Sequence, residues 1–258
     1  LEIAQSATLQ PISQVAASAG LQPEEFDLIG STKAKLKLDA AHKRASNSRQ
    51  GKLVLVTAIT PTPAGEGKTT VSIGLAQGLC RIGKQAIPAL REPALGPLFG
   101  VKGGACGGGY SQVLPMEEIN LFFTGDFPSV SAAHNLLAAM LDSSIHFSNP
   151  TQTDLRHIWW PRTVDMIDRA LRETVVGLGE GNGNVRSDRT VITPASEVMA
   201  ILCLATSIAD LKERLSRIVV ARTGGGVPVT AGDLGATGAM AVLLRDALRP
   251  NLVQTMEG

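Results

Sequence analysis

The stretch Leu53-Val54-Leu55-Val56-Thr57-Ala58-Ile59-Thr60-Pro61-Thr62-Pro63-Ala64-Gly65-Glu66-Gly67-Lys68-Thr69 decides the fold class. Its first seven residues are an unbroken β-branched and aliphatic run, which predicts a strand buried on both faces of a parallel sheet. Beyond the glycine-rich turn, Val71, Leu75 and Leu79 recur at helical spacing, Ile73 and Ala76 widen the stripe, and Gly83 closes it. The unit is strand, loop, helix. A second apolar run, 86–90, ends in Arg91-Glu92-Pro93, which sets charged groups at the carboxyl end of the next predicted strand. Open α/β sheets receive ligands at that edge.

The turn reads T-P-A-G-E-G-K-T and departs from the phosphate-loop pattern G-x-x-x-x-G-K-[ST] only at Thr62. Gly65 and Gly67 let backbone N–H groups converge on phosphate oxygens, Lys68 supplies a point charge near the β and γ phosphates, and Thr69 offers a hydroxyl to Mg²⁺. The head of the helix adds its positive dipole end. A nucleoside triphosphate, ATP, is the expected ligand, held by Thr62, Pro63, Ala64, Gly65, Glu66, Gly67, Lys68, Thr69 and Thr70. The fold class that follows is α/β: a P-loop NTPase-like, mostly parallel sheet with helices on both faces. Arg91 is expected to clamp a phosphate or carboxylate in bidentate fashion, which makes Arg91 and Lys68 the catalytic candidates. Glu92 and Lys102 join Arg91 as candidate substrate contacts, since glycines flanking Lys102 permit close approach to an anion. Asp126 is read either as a turn residue or as a cation ligand. A phosphate loop alone does not separate kinases, ATPases, GTPases and ligases.

The 24 basic and 23 acidic side chains nearly cancel, so no global field draws the chain to nucleic acid or to an anionic membrane. Apolar stretches at 132–141 and 198–209 fall short of the roughly 20 residues of a membrane span, so a soluble protein is expected. Cys80, Cys106 and Cys203 show no metal or disulfide spacing and suggest a reducing compartment. With no secretory signal in view, the expected location is the cytoplasm, with mitochondrial matrix or plastid left open by a first residue that is not Met. Two parts are expected: an N-terminal helical segment, 1–50, packing on the core, and a P-loop nucleotide-binding domain, 51–258. The basic run Lys33-Ala34-Lys35-Leu36-Lys37 reads as a solvated helix face. Glycines dominate 95–110, implying a long ordered loop, and 217–221 reads as a strand. Helices are expected near 131–141, 165–178, 196–207 and 234–248, with a surface loop at 179–188. His42, His134, His146 and His157 read as surface or capping residues. Trp159, Trp160 and the cysteines read as core.

These residues resemble the N-terminal half of the formate–tetrahydrofolate ligase family, also called formyltetrahydrofolate synthetases. The resemblance is carried by Val56 to Thr70, Arg91-Glu92-Pro93, Phe99-Gly100-Val101-Lys102-Gly103-Gly104, Gly107-Gly108-Gly109-Tyr110-Ser111-Gln112, Ala195-Ser196-Glu197-Val198-Met199-Ala200 and Pro250-Asn251-Leu252-Val253-Gln254-Thr255, among other blocks. It implies that ATP phosphorylates formate to formyl phosphate, whose carbonyl N10 of tetrahydrofolate then attacks, giving 10-formyltetrahydrofolate. Lys68 and Thr69 would hold the triphosphate and Mg²⁺, Arg91 the formyl phosphate, and Asp126 would lie by a monovalent cation, K⁺ or NH₄⁺. Formate and tetrahydrofolate are the implied partners, and a homo-oligomer is expected. The family segment N-L-H-F-T-G-D-[IF]-H appears here as Asn120-Leu121-Phe122-Phe123-Thr124-Gly125-Asp126-Phe127-Pro128, so both histidines are replaced. Pro161 stands where an arginine is usual, and Thr190-Val191-Ile192 where the family has F-D-I. Family members continue for about as much sequence again, which leaves a truncated, catalytically impaired ATP-binding relative or subunit as the alternative reading.

Overall fold

A computed structural model describes residues 2–47 and 51–258. The chain folds as two units, one running to Thr124 and taking back Arg249–Gly258, the other spanning Gly125–Leu248. The fold is mixed α/β, built from helices and several sheets of two or three strands.

In the first unit, helices Glu2–Gln5 and Ile12–Ser18 precede a hairpin in which Phe26–Ile29 pairs antiparallel with Lys33–Leu36. Gly30, at φ +69°, supplies the left-handed backbone its turn needs. The basic run is therefore a strand rather than a helix face, and only part of it is solvated. Lys35 is 3% exposed and its Nζ donates to the Arg249 carbonyl at 3.2 Å. Lys33 pairs with Glu118, donates to the Phe123 carbonyl and lies 5.7 Å over the Phe123 ring. Long lysine stems tolerate burial when their heads are paired, and a pattern reading of charge misses this. Asn251–Leu252 adds antiparallel to Lys33–Leu36, and Ile12, Val15, Ala16, Phe26 and Ala34 fill the core beside this sheet.

The same unit carries the helix Lys68–Arg81, which packs on the hairpin Gly107–Gly108/Ser111–Leu114. Gln254–Thr255 pairs with the outer strand of that hairpin, and Gln254 exchanges two hydrogen bonds with the Gln10 backbone, at 3.0 and 2.9 Å. Ile73, Cys106, Val113 and Ile119 form the core there. Two glycines set the approach. A Cβ on Gly74 would meet Ser111 Oγ at 2.7 Å, and one on Gly107, whose φ is +86°, would meet the Ser111 carbonyl oxygen at 2.0 Å and Ile73 Cδ1 at 2.8 Å. The helix buries Ile73 and Ala76, whereas Val71 and Leu75 of the predicted stripe face outward.

The predicted strands at 53–59 and 86–90 belong to no sheet among the described residues, and Leu53, Leu55 and Ile59 are 96%, 81% and 102% exposed. The strand pairs of the described residues are antiparallel, except Arg162–Val164 with Thr190–Ile192, so the mostly parallel sheet is not what this chain displays. An apolar run announces a need for burial on both faces but does not supply the neighbouring strands and covering layers.

The second unit is organised by the helix Asp126–His146, longer than predicted, which buries Phe127, Val130, Ala133, His134, Leu137, Ala138 and Leu141 at i, i+3, i+4 spacing. Helices Ile208–Ser216 and Thr237–Leu244 and the sheet Pro228–Thr230/Val219–Thr223/Thr153–Ile158 close one core with it. Ser196 and Ser207 cap helices Glu197–Leu204 and Ile208–Ser216 through their hydroxyl oxygens. The helix predicted at 165–178 is absent. There the β-branched run Thr174–Val176 pairs antiparallel with Arg186–Asp188, whose Arg186 ion-pairs with Asp142 at 2.6 Å. Among the described residues no helix is long and apolar enough to cross a membrane.

His134 is buried, contrary to the surface reading, and stacks on Trp160 with ring centroids 4.2 Å apart. The Pro161 carbonyl only accepts, so Nε2 donates to it at 2.8 Å, and Nδ1 accepts from the Ser196 hydroxyl at 2.8 Å. Burial lowers the His134 pKa below its ordinary 6.5, outweighing the Pro161 carbonyl, which raises it. The unfolded chain thus takes up a proton that the fold refuses, and stability is lost as pH falls from the ordinary value through the depressed one. Urea midpoints read by tryptophan fluorescence are expected to fall across that window, and His134→Gln is expected to remove this component of the slope. Gly107→Ala is expected to cost about 2 kcal/mol or more through strain and the Ser111 clash, measured by urea unfolding of the first unit.

Candidate functional site

Pro61 precedes, and Pro63 lies within, a tight turn in which Gly65 N–H donates to the Thr62 carbonyl at 3.1 Å and Thr62 Oγ1 donates to the Gly65 carbonyl at 3.0 Å. Gly65 and Gly67 sit at φ +89° and +74°, and a Cβ built on either meets nothing within 4 Å. These glycines are required by backbone conformation, not by crowding, and the space beside them is open. Gly67 is the residue before the helix, and the first helical amide bond runs from Val71 N–H to the Gly67 carbonyl at 2.9 Å. The amides of Lys68, Thr69 and Thr70 thus precede the helix ladder, as the first donors of any helix do. With the Lys68 ammonium and the Thr69 hydroxyl they form a donor set of the kind that grips polyphosphate oxygens. The residues fit a nucleotide triphosphate with Mg²⁺.

The glycine-rich segment lies against this helix. A Cβ on Gly108 would stand 3.9 Å from Thr70 Oγ1, and Gln77 Nε2 donates to the Tyr110 carbonyl at 3.2 Å. Asn120, buried, holds the segment from its other side: Oδ1 accepts from Ala105 N–H at 3.2 Å, and a Cβ on Gly104 would meet that oxygen at 2.6 Å. The sequence drew attention to the block beginning at Asn120 for its replaced histidines and for Asp126, not for Asn120 itself. A buried amide beside glycines was the available signal.

Glu66 carries the strongest local electrostatic signature. Its carboxylate accepts from Thr62 N–H and pairs with Lys68 Nζ. These bonds, Lys68 first, hold its pKa down to about 2, with the Lys102 charge adding to the effect. Lys102 is thereby placed within electrostatic reach of the loop. Arg91 is exposed and Glu92 half-buried on irregular chain leading into the helix Leu95–Leu98. Asp126 belongs to the second unit, where it opens the long helix. Phe122 is 62% exposed, and Pro128 fits the first helical turn, where no amide donor is missed. Cys106 is buried and its thiol is pushed up to about 12, mainly by desolvation, which makes it a core residue and a poor nucleophile. Cys80 and Cys203 are exposed rather than core, as is Trp159, while Trp160 is buried. No group of three or more His, Cys, Asp or Glu among the described residues is placed to hold a metal.

The chain thus joins a mixed α/β fold to a glycine-lysine-threonine loop at the head of a helix. The formate–tetrahydrofolate ligase family model matches residues 1–258, and the chain belongs to that family. It is 60% identical to a formate–tetrahydrofolate ligase of Symbiobacterium thermophilum and 57% identical to one of Methylobacillus flagellatus, in each case over 258 residues, the whole chain and 46% of the relative. The chain thus spans about half the length of the curated relatives it matches.

Proposed function

We propose that this chain supplies the nucleotide-binding half of an ATP-dependent ligation of formate to tetrahydrofolate. The γ-phosphoryl group passes from ATP to a formate oxygen, releasing ADP. N10 of tetrahydrofolate then attacks the carbonyl of formyl phosphate, and phosphate leaves as 10-formyltetrahydrofolate forms. The observation that carries this reading is the open loop Thr62–Thr70 at the head of the helix Lys68–Arg81, in a chain belonging to a ligase family. Lys68 and the amides of Lys68, Thr69 and Thr70 grip the β and γ phosphates, and Thr69 Oγ1 ligates Mg²⁺, which when bound neutralises charge on the transferring phosphoryl group. Arg91 stabilises the charge that develops on the transferred group, assisted by Lys102 and oriented by Glu92. Asp126 would help to hold a monovalent cation, K⁺ or NH₄⁺. The working protein is a homo-oligomer of the cytoplasm.

The same reading gives the exposed run 53–59 a place. It is a central strand of a mostly parallel, P-loop NTPase-like sheet whose remaining strands come from the part of the family polypeptide beyond the matched 46%. A second reading, an impaired nucleotide-binding relative, is favoured by one observation: Phe122 and Pro128, at positions where the family carries histidines, can move no proton.

Lys68→Ala is expected to weaken MgATP binding to this chain at least about tenfold by titration calorimetry, equivalent to about 1.4 kcal/mol. With the chain continued by the C-terminal part of the Symbiobacterium relative, formate- and tetrahydrofolate-dependent phosphate release is expected, and Arg91→Ala should lower its kcat by about 10² or more. Nucleotide binding without formate-stimulated turnover would establish the impaired relative instead. In the continued chain, amide exchange at 53–59 should slow by orders of magnitude if the run is a central strand. Exchange as fast as in the present chain would exclude that sheet.

A further inference from the structure

We infer that Glu66 is a stand-in anion: its carboxylate occupies the phosphate loop before nucleotide arrives and must leave for the triphosphate to be held. The inference rests on the phosphate-loop reading and changes the part of Glu66 in it, from a residue that holds the ligand to one that competes with it. One carboxylate oxygen takes the Thr62 N–H at the start of the turn, and the other takes the Lys68 ammonium at its end. The side chain is tucked into the loop, 12% exposed, whereas Lys68 is 44% exposed. Glu66 therefore spans the curve of the loop and neutralises the Lys68 charge within it. It is flanked by Gly65 and Gly67, both with left-handed backbone.

Two anions compete for one ammonium charge and for the single Thr62 N–H. A triphosphate oxygen reaching Lys68 Nζ meets the Glu66 carboxylate at the same nitrogen, and their repulsion is undiminished at neutral pH because Glu66 stays ionised there. The swap has two consequences. In the empty loop the carboxylate keeps Lys68 from collapsing onto other acidic groups and preserves the curvature that receives phosphate. In the filled loop the displaced Glu66 lies beside a highly charged ligand, which lowers affinity and speeds release of the product nucleotide.

The test is direct binding of tripolyphosphate and of MgATP to the purified chain, followed by calorimetry, for the parent, Glu66→Gln, Lys68→Ala and the double variant. Glutamine keeps the shape and an acceptor for Thr62 N–H but removes the charge. The expected result is that Glu66→Gln binds both ligands three- to tenfold more tightly, that the gain vanishes in the double variant, and that Thr62 amide exchange accelerates when the parent binds. Unchanged or weaker binding by Glu66→Gln, with binding still dependent on Lys68, would overturn the inference and leave the phosphate-loop reading standing. Binding indifferent to Lys68 would sink both.

Discussion

The close apposition of the helix Lys68–Arg81 and the hairpin Gly107–Leu114 is the constraint on which the first unit depends. The two come this near because both are glycine at the contact: a Cβ on Gly74 of the helix would meet Ser111 Oγ of the hairpin at 2.7 Å, and one on Gly107 of the hairpin would meet Ile73 Cδ1 of the helix at 2.8 Å. That contact fixes the direction of the helix, and the direction of the helix fixes where its unladdered amides point. The loop from Thr62 to Gly67 then needs only two left-handed residues to bring the chain back over those amides. Buried Asn120 performs the complementary task, tying the glycine-rich segment down so that Gly108 stays against Thr70. A site made mostly of main-chain donors is only as well ordered as the packing behind it.

The second unit is held by a different kind of interaction. Its long helix is apolar along most of its buried face, yet one ring in the middle of that face is polar. His134 is satisfied at both nitrogens, stacked on Trp160 and linked through Ser196 to the cap of the helix Glu197–Leu204. A fully satisfied polar group of this sort joins elements in one register, where apolar contacts alone would accept several. The Trp160 indole N–H, donating to the His134 carbonyl at 3.0 Å, closes the arrangement.

The sequence was most legible where a residue type has one physical use. Gly65 and Gly67 marked a turn that needs left-handed backbone, and the helix behind it followed from its periodicity. Which face of that helix would be buried was not legible, since Val71 and Leu75 are as apolar as Ile73, and only the hairpin's position decides between them. The lysines at 33 and 35 misled for a related reason: alternation of charge and alanine fits a helix face and a strand alike, and the partners that neutralise them, Glu118 and the carbonyls of Phe123 and Arg249, are remote in sequence. The runs at 53–59 and 86–90 show the limit of reading hydrophobicity as structure. Apolar character states what a segment requires, while a sheet is made by its neighbours. His134 was hidden because a lone histidine carries no signal of burial, and the acceptor and donor that satisfy it lie 27 and 62 residues away.

The return of Arg249–Gly258 to the first unit has a consequence for how the protein is made. Lys33–Leu36 receives Asn251–Leu252 and Ser111–Leu114 receives Gln254–Thr255, so two separate sheets wait on strands translated after the whole of Gly125–Leu248. On the ribosome, Gly125–Leu248 has all its own partners in hand and can fold while the earlier residues remain incomplete. The order of assembly therefore runs against the order of synthesis: the inserted unit sets first, and the chain around it is sewn shut last.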